Sequence, residues 1–183
     1  MKLPSKYFLI VLFIGLTGCV SSPALITDDF PSRILMTPQD LPQNWRREGV
    51  YVEEIPDGES RMVVFNAEGY ETHLYLVASH TLSVYPTEDL ASNAYKKLEN
   101  QYFPTDDRKV PEIGVEFKPS GLSRLGCLKL SMNGEAFLSC GYLQLNNKLV
   151  SLVLANIDGD NLTVDQFVNA LKILDIRMQQ YEK

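Results

Sequence analysis

The chain has 183 residues, of which 45% are hydrophobic and 22% charged, the size and balance of one globular domain able to bury a core. Its formal net charge is -6, and both Lys2 and Lys6 lie in a leading segment without acidic residues, so the remainder is more acidic still. That balance excludes nucleic acid as a partner, because phosphate binding needs a basic surface, and it disfavours adhesion to anionic lipid by charge alone.

From the N-terminus, Lys2 and Lys6 precede an apolar run, Tyr7 to Ile14, that ends in Gly15-Leu16-Thr17-Gly18-Cys19. Charged, apolar and small-residue segments in this order are the layout of a secretory signal. The apolar run is also shorter than the roughly 20 residues that a membrane-spanning helix needs. Leu16-Thr17-Gly18-Cys19 resembles the lipobox of bacterial lipoproteins. The resemblance covers the first 19 residues and implies cleavage before Cys19 after its thiol has been joined to diacylglycerol. Residues 1 to 18 are then a signal peptide, and acyl chains such as palmitate on Cys19 hold the protein to a membrane. At roughly 0.8 kcal/mol per buried methylene, two or three such chains anchor stably. Neither Val20 nor Ser21 resembles the aspartate that keeps many such proteins at the inner membrane, so the expected location is a cell membrane or outer membrane, with the domain facing the periplasm or exterior.

Residues 19 to 36 contain Ser21-Ser22-Pro23, Asp28-Asp29 and Pro31-Ser32 without a sustained period, and read as the lipidated N-terminus and a flexible tether. Residues 37 to 183 read as a single domain. Thr37 with Pro38 predicts a capped single turn before Leu41-Pro42, and Trp45, the only tryptophan, reads as a core anchor. Asp57-Gly58 predicts a tight hairpin between arms at Tyr51-Val52 and Met62 to Phe65. From Thr72 to Tyr85 the chain alternates, with Leu74, Leu76, Ala78, His80, Leu82 and Val84 on one face of a long strand, and His73, Tyr75, Val77 and Tyr85 on the other. Thr87 then caps a helix carrying Leu90, Ala91, Ala94, Tyr95, Leu98 and Tyr102 at helical spacing, which Phe103-Pro104 ends.

Asn133-Gly134 is a strong two-residue hairpin signal. Counted outward from it, Met132 faces Glu135 and Cys127 faces Cys140 in an open pair, whose α-carbons lie about 4.5 Å apart, close enough for a disulfide. The export signal independently implies an oxidising compartment in which such a bond persists. The pair lacks Cys-x-x-Cys spacing, so the bond is read as structural. A second turn at Asn146-Asn147 leads into Leu149 to Ile157 and completes a meander. One face of it carries Leu128, Leu130, Phe137, Leu143, Leu145, Val150, Leu152 and Leu154. The final helix, capped by Thr163 with Gln166 and striped by Val164, Phe167, Val168, Leu171, Leu174 and Met178, is expected to cover that face. The fold expected is α+β, a single antiparallel sheet of about five or six strands packed by two main helices. This order of elements resembles the PsbP-like fold of photosystem accessory proteins and certain exported lipoproteins of actinobacteria. The resemblance is architectural and carries no motif, and fold does not fix function.

Catalytic signals are sparse. The chain has only His73 and His80 and no Gly-x-Ser-x-Gly elbow. The two histidines lie seven apart, on opposite faces of a regular strand, and cannot share a metal. Asp158-Gly159-Asp160-Asn161 clusters oxygen ligands, but Leu162, Thr163 and Asn169 stand where a calcium loop needs an oxygen ligand, glycine and glutamate. A turn into the capped helix accounts for the same residues. Glu53-Glu54 reads as a solvated edge. No metal and no cofactor are expected. The function expected is a non-catalytic binding, accessory or sensor module with an envelope protein or small ligand as partner, and His73, Tyr75 and Tyr85 as its candidate surface. The alternative is an envelope hydrolase built on His80 and a nearby acid.

Overall fold

A computed structural model describes residues 30–68, 77–103, 117–132 and 134–181. The period-two segments form β1 (Trp45–Ile55), β2 (Gly58–Ala67), β3 (Val77–Val84), β4 (Leu122–Met132), β5 (Glu135–Asn146) and β6 (Leu149–Ile157). The helically spaced segments form α1 (Glu88–Tyr102) after β3 and α2 (Val164–Tyr181) after β6. All six strands join one antiparallel sheet in the order β1-β2-β3-β6-β5-β4. The β1-β2-β3 half meets the β6-β5-β4 half through the β3–β6 ladder, Ala78 opposite Ala155 to Val84 opposite Leu149. The class is α+β with a single sheet, as the periodicities predict.

Each hairpin is set by local chemistry. Between β1 and β2 the two turn residues are Pro56 and Asp57, with Asp57 at φ 61° and Gly58 already paired with Ile55. The turn thus sits one residue earlier than Asp57-Gly58 suggests. Pro56 sets the first turn position, and Gly58 is required for close approach, since a Cβ there would lie 2.5 Å from the Val84 carbonyl oxygen. Asn147, at φ 46°, and Lys148 form the β5–β6 turn, again one residue from expectation. At the β4–β5 turn the predicted register holds throughout: Met132 faces Glu135, and Cys127 faces Cys140 with a Cα separation of 4.1 Å and a disulfide between them. Thr87 Oγ1 accepts from Leu90 N–H at 3.3 Å to cap α1, and Thr163 with Gln166 forms a reciprocal capping box before α2.

A helix packs on each face of the sheet. One face carries Val63, Phe65, Leu82, Tyr142, Val153 and Ala155, packed under Phe167, Leu171, Leu174 and Met178 of α2. The other carries Leu143, Val150 and Leu152, packed under Ala91 and Tyr95 of α1. Of the leucine-rich face of the meander, Leu143, Leu145, Val150, Leu152 and Leu154 are therefore covered by α1, on the side opposite α2, while Leu130 and Phe137 join the core under α2. The apolar stripe of α2 matched either face, and only the chain path selects between them.

A second correction concerns the tether. Phe30, Ile34, Leu35 and Met36 are buried in the core beneath α2, so packed chain begins by Phe30 rather than at residue 37. A 3-10 turn, Ser32–Ile34, interrupts the segment, which is why neither a period of two nor of 3.6 marks it. It is held by charge as well as packing. The guanidinium of Arg177 on α2 makes two hydrogen bonds of 2.7 Å to the Asp40 carboxylate and a third, of 3.3 Å, to the Leu35 carbonyl. Arg61, almost fully buried, lies 4.1 Å from the Phe30 ring centre and donates to Ser32 Oγ at 2.9 Å. Trp45 is a core residue, as expected, and its indole N–H donates to the Asn161 carbonyl at 3.0 Å. Residues 19 to 29, with Cys19 and the export signal, lie outside the described residues.

Replacing Cys127 and Cys140 together by alanine is expected to lower unfolding free energy by about 2 kcal/mol with the far-ultraviolet spectrum unchanged, since the bond closes a short loop that the hairpin already constrains. Urea unfolding of the two forms measures it. Equal midpoints would show that the bond adds nothing to the stability of the hairpin-held fold.

Candidate functional site

α1 lies over β5 and β6, and beside it the same face of β1, β2 and β3 is left open among the described residues. On β2 the alternation shows this directly: Val63 and Phe65 are buried, whereas Met62 and Val64 on the open side are half-buried. The result is a cleft of about 640 Å³ between the helix and the β1–β3 half of the sheet. Leu90, Asn93, Ala94, Lys97, Leu98 and Gln101, one stripe of α1 at helical spacing, form its wall. Ser60, Met62, Thr81 and Ser83 form its floor, with Glu53, Ile55 and Tyr85 at the rim. Its volume lies within the roughly 300 to 1,000 Å³ of small-molecule sites.

The lining is amphipathic. Met62, Leu90, Leu98, Val150 and Leu152 supply apolar surface, while Ser83 Oγ donates to Ser60 Oγ at 3.0 Å in the buried floor. Burial pushes the Tyr85 phenol above its ordinary pKa, with Glu53 acting in the same direction and a hydrogen bond to Ser83 against it. The phenol is thus a neutral donor at physiological pH. Glu53 and Asp57 on the strand side face Lys97 on the helix side, so a ligand here meets hydroxyls and opposite charges around an apolar centre.

Of the three residues of the candidate surface, Tyr85 sits at this rim, and His73 and Tyr75 lie outside the described residues. Sequence periodicity indicated the open face of β3 but missed the α1 wall. The polar residues Asn93, Lys97 and Gln101 at helical spacing are the signal that could have located it.

His80 lies on the opposite face, in the core. Its Nδ1 accepts the Met36 backbone N–H at 3.0 Å, so in the neutral ring Nε2 carries the proton and donates to Ser151 Oγ, also at 3.0 Å. This polarity is the reverse of what a base activating a serine requires. Burial, reinforced by Arg177 and opposed by Asp40, lowers the His80 pKa to about 3. A hydrolase built on His80 loses its residue: the ring is wholly buried and both nitrogens are engaged. Asp158 is likewise occupied. Its carboxylate accepts the backbone N–H groups of Asp160, Asn161 and Leu162 and the Asn161 amide. Burial raises its pKa, but these four bonds outweigh it and hold the group below the ordinary carboxylate value. Glu53 and Glu54 are exposed on the edge strand, and Glu53 reaches the cleft rim.

No family model matches the chain, and no curated protein is similar to it in sequence. Among solved structures, the extracellular domain of PknH from Mycobacterium tuberculosis is similar, with a TM-score of 0.54 at 11% identity over 81% of this chain and 94% of that one. At that identity the likeness is one of fold. No helix among the described residues is long and apolar enough to cross a membrane.

The His80 environment makes a pH prediction. Its folded pKa of about 3 lies below the ordinary 6.5, so the unfolded chain takes up a proton first. The stability is present above pH 6.5 and is lost as pH falls toward 3, at up to about 1.4 kcal/mol per unit. Between pH 6.5 and about 5, before carboxylates dominate, the wild type is expected to lose stability while His80→Gln stays flat in urea titrations. Parallel curves would contradict a neutral buried His80.

Proposed function

We propose that this protein is an exported, lipid-anchored envelope module that binds a ligand without catalysis, and that the cleft between α1 and β1–β3 is its binding site. The cleft carries the reading: it is of ligand size, combines an apolar centre with hydroxyl and charged groups, and holds Tyr85. Anchoring through Cys19 is supported by the lipobox-like Leu16-Thr17-Gly18-Cys19 and by a structural disulfide suited to an oxidising compartment. The similar PknH domain is itself extracellular, which is compatible with a binding or sensor role outside the cytoplasm. The occupant is an amphipathic small molecule or an exposed segment of an envelope protein, read out at the membrane surface.

Two measurements test the two parts. In cells fed a labelled fatty acid, the wild type is expected to carry label and sediment with membranes, and Cys19→Ser to lose both; label retained by the variant would remove the anchor. For the cleft, small molecules released on denaturing the protein purified from its host are compared with those from Asn93→Trp, whose exposed position points a large ring across the opening. Roughly tenfold less retained ligand in the variant is expected. Identical contents in both forms would place binding elsewhere.

A further inference from the structure

We propose that β1 pairs antiparallel with β1 of a second copy of this chain, so that two six-stranded sheets join edge to edge about a two-fold axis through Tyr51. β1 ends the sheet and, among the described residues, has a strand neighbour on one side only. Its middle, Val50-Tyr51-Val52, is apolar and 45%, 48% and 50% exposed. Edge strands of this length normally carry charge through the middle to block pairing. Apart from Glu48, whose carboxylate accepts the Asn66 side-chain amide of β2, the charges here are sorted by sign instead, with Arg46 and Arg47 before the apolar centre and Glu53 and Glu54 after it.

That order specifies the partner. An antiparallel copy places its acidic end beside the basic end of the first strand, whereas a parallel copy sets like charges side by side. With Tyr51 opposite Tyr51, Val50 faces Val52 in both directions. β1 also has a register shift between Arg47 and Gly49 against β2, which makes Glu48 the extra residue of a bulge. Counted past it, Arg47 stands opposite Glu54 of the second copy, and Arg46 lies diagonal to Glu53, each pair on a common face of the joined sheet. The other edge does not repeat the pattern. β4 carries Arg124 and Lys129 with no acidic residue, so self-pairing there would oppose like charges.

The axis stands normal to the sheet, so both copies present the same face to the same side. Phe30 of both copies then lies on the same side of the joined sheet, and, if the anchoring proposed above holds, both copies share one membrane. A strand pair with three apolar side chains per copy is at the small end of specific interfaces, and sharing a membrane raises the effective concentration that a weak contact needs.

Sedimentation equilibrium of the full-length chain in density-matched detergent tests the proposal. The wild type is expected to show a monomer–dimer equilibrium. Arg46→Glu with Arg47→Glu makes an all-acidic edge, and Glu53→Arg with Glu54→Arg a basic one in which Glu48 alone is acidic. Each alone is expected to weaken self-association by about tenfold or more, and their equimolar mixture to recover a dimer. Wild type that stays monomeric at every concentration overturns the proposal, as does a dimer that neither exchange weakens or a mixture that fails to recover. Circular dichroism checks folding; should a double variant misfold, Tyr51→Lys at its exposed position replaces it and must weaken the dimer.

Discussion

A sheet with apolar side chains on both faces needs two covers, and the rest of this structure follows from how they are supplied. The β4–β6 half sends Leu143, Val150 and Leu152 to one side and Tyr142, Val153 and Ala155 to the other. An α-helix is about 10 Å across, whereas six strands at about 4.8 Å spacing are more than twice as wide. A single helix cannot cover either face. On one side α2 is supplemented by the segment from Phe30 to Leu41, which extends the cover over β2 and β3. On the other side α1 has no such supplement among the described residues, and the cleft is the width that it leaves open.

Apart from Ser60 and Ser83 in the cleft floor, the buried polar groups described above lie on the supplemented face, and they dictate how its parts dock. His80 accepts the Met36 backbone N–H of the N-terminal segment and donates its ring Nε2–H to the Ser151 hydroxyl on β6. Asp40 receives Arg177 and two donors from Thr37, tying the same segment to α2. Further along α2, Asp175 accepts from Ser120, Gln144 and Gln179, and these bonds hold its carboxyl below the ordinary value against the upward push of burial. Hydrophobic packing alone would let a helix slide on a flat sheet. Buried groups that are costly to leave unpaired select one placement.

These polar groups are used up in holding the fold, so the residues with the strongest chemistry in the sequence are the ones least able to meet a ligand. The open face has the opposite character, with hydroxyls, a phenol and surface charges around an apolar centre, suited to recognition. The likeness to the extracellular domain of PknH concerns the scaffold. The proposed roles of the cleft and of the β1 edge rest on this chain's own residues.

Local chemistry alone determined the elements and much of their pairing. Asn133-Gly134 set a register that carried Cys127 to Cys140, because a two-residue turn leaves the counting no freedom. Thr87, Thr163 and Gln166 marked helix starts through bonds made within four residues. Turn positions at Pro56-Asp57 and Asn147-Lys148 were legible to within one residue, since neighbouring residues compete for the positive-φ site. Three things were decided only by the tertiary structure: which helix covers which face, the burial of Phe30 to Met36, and the cleft. Each depends on residues far apart in sequence meeting across the sheet, and an amphipathic stripe or a half-buried strand records that a partner exists without recording which one.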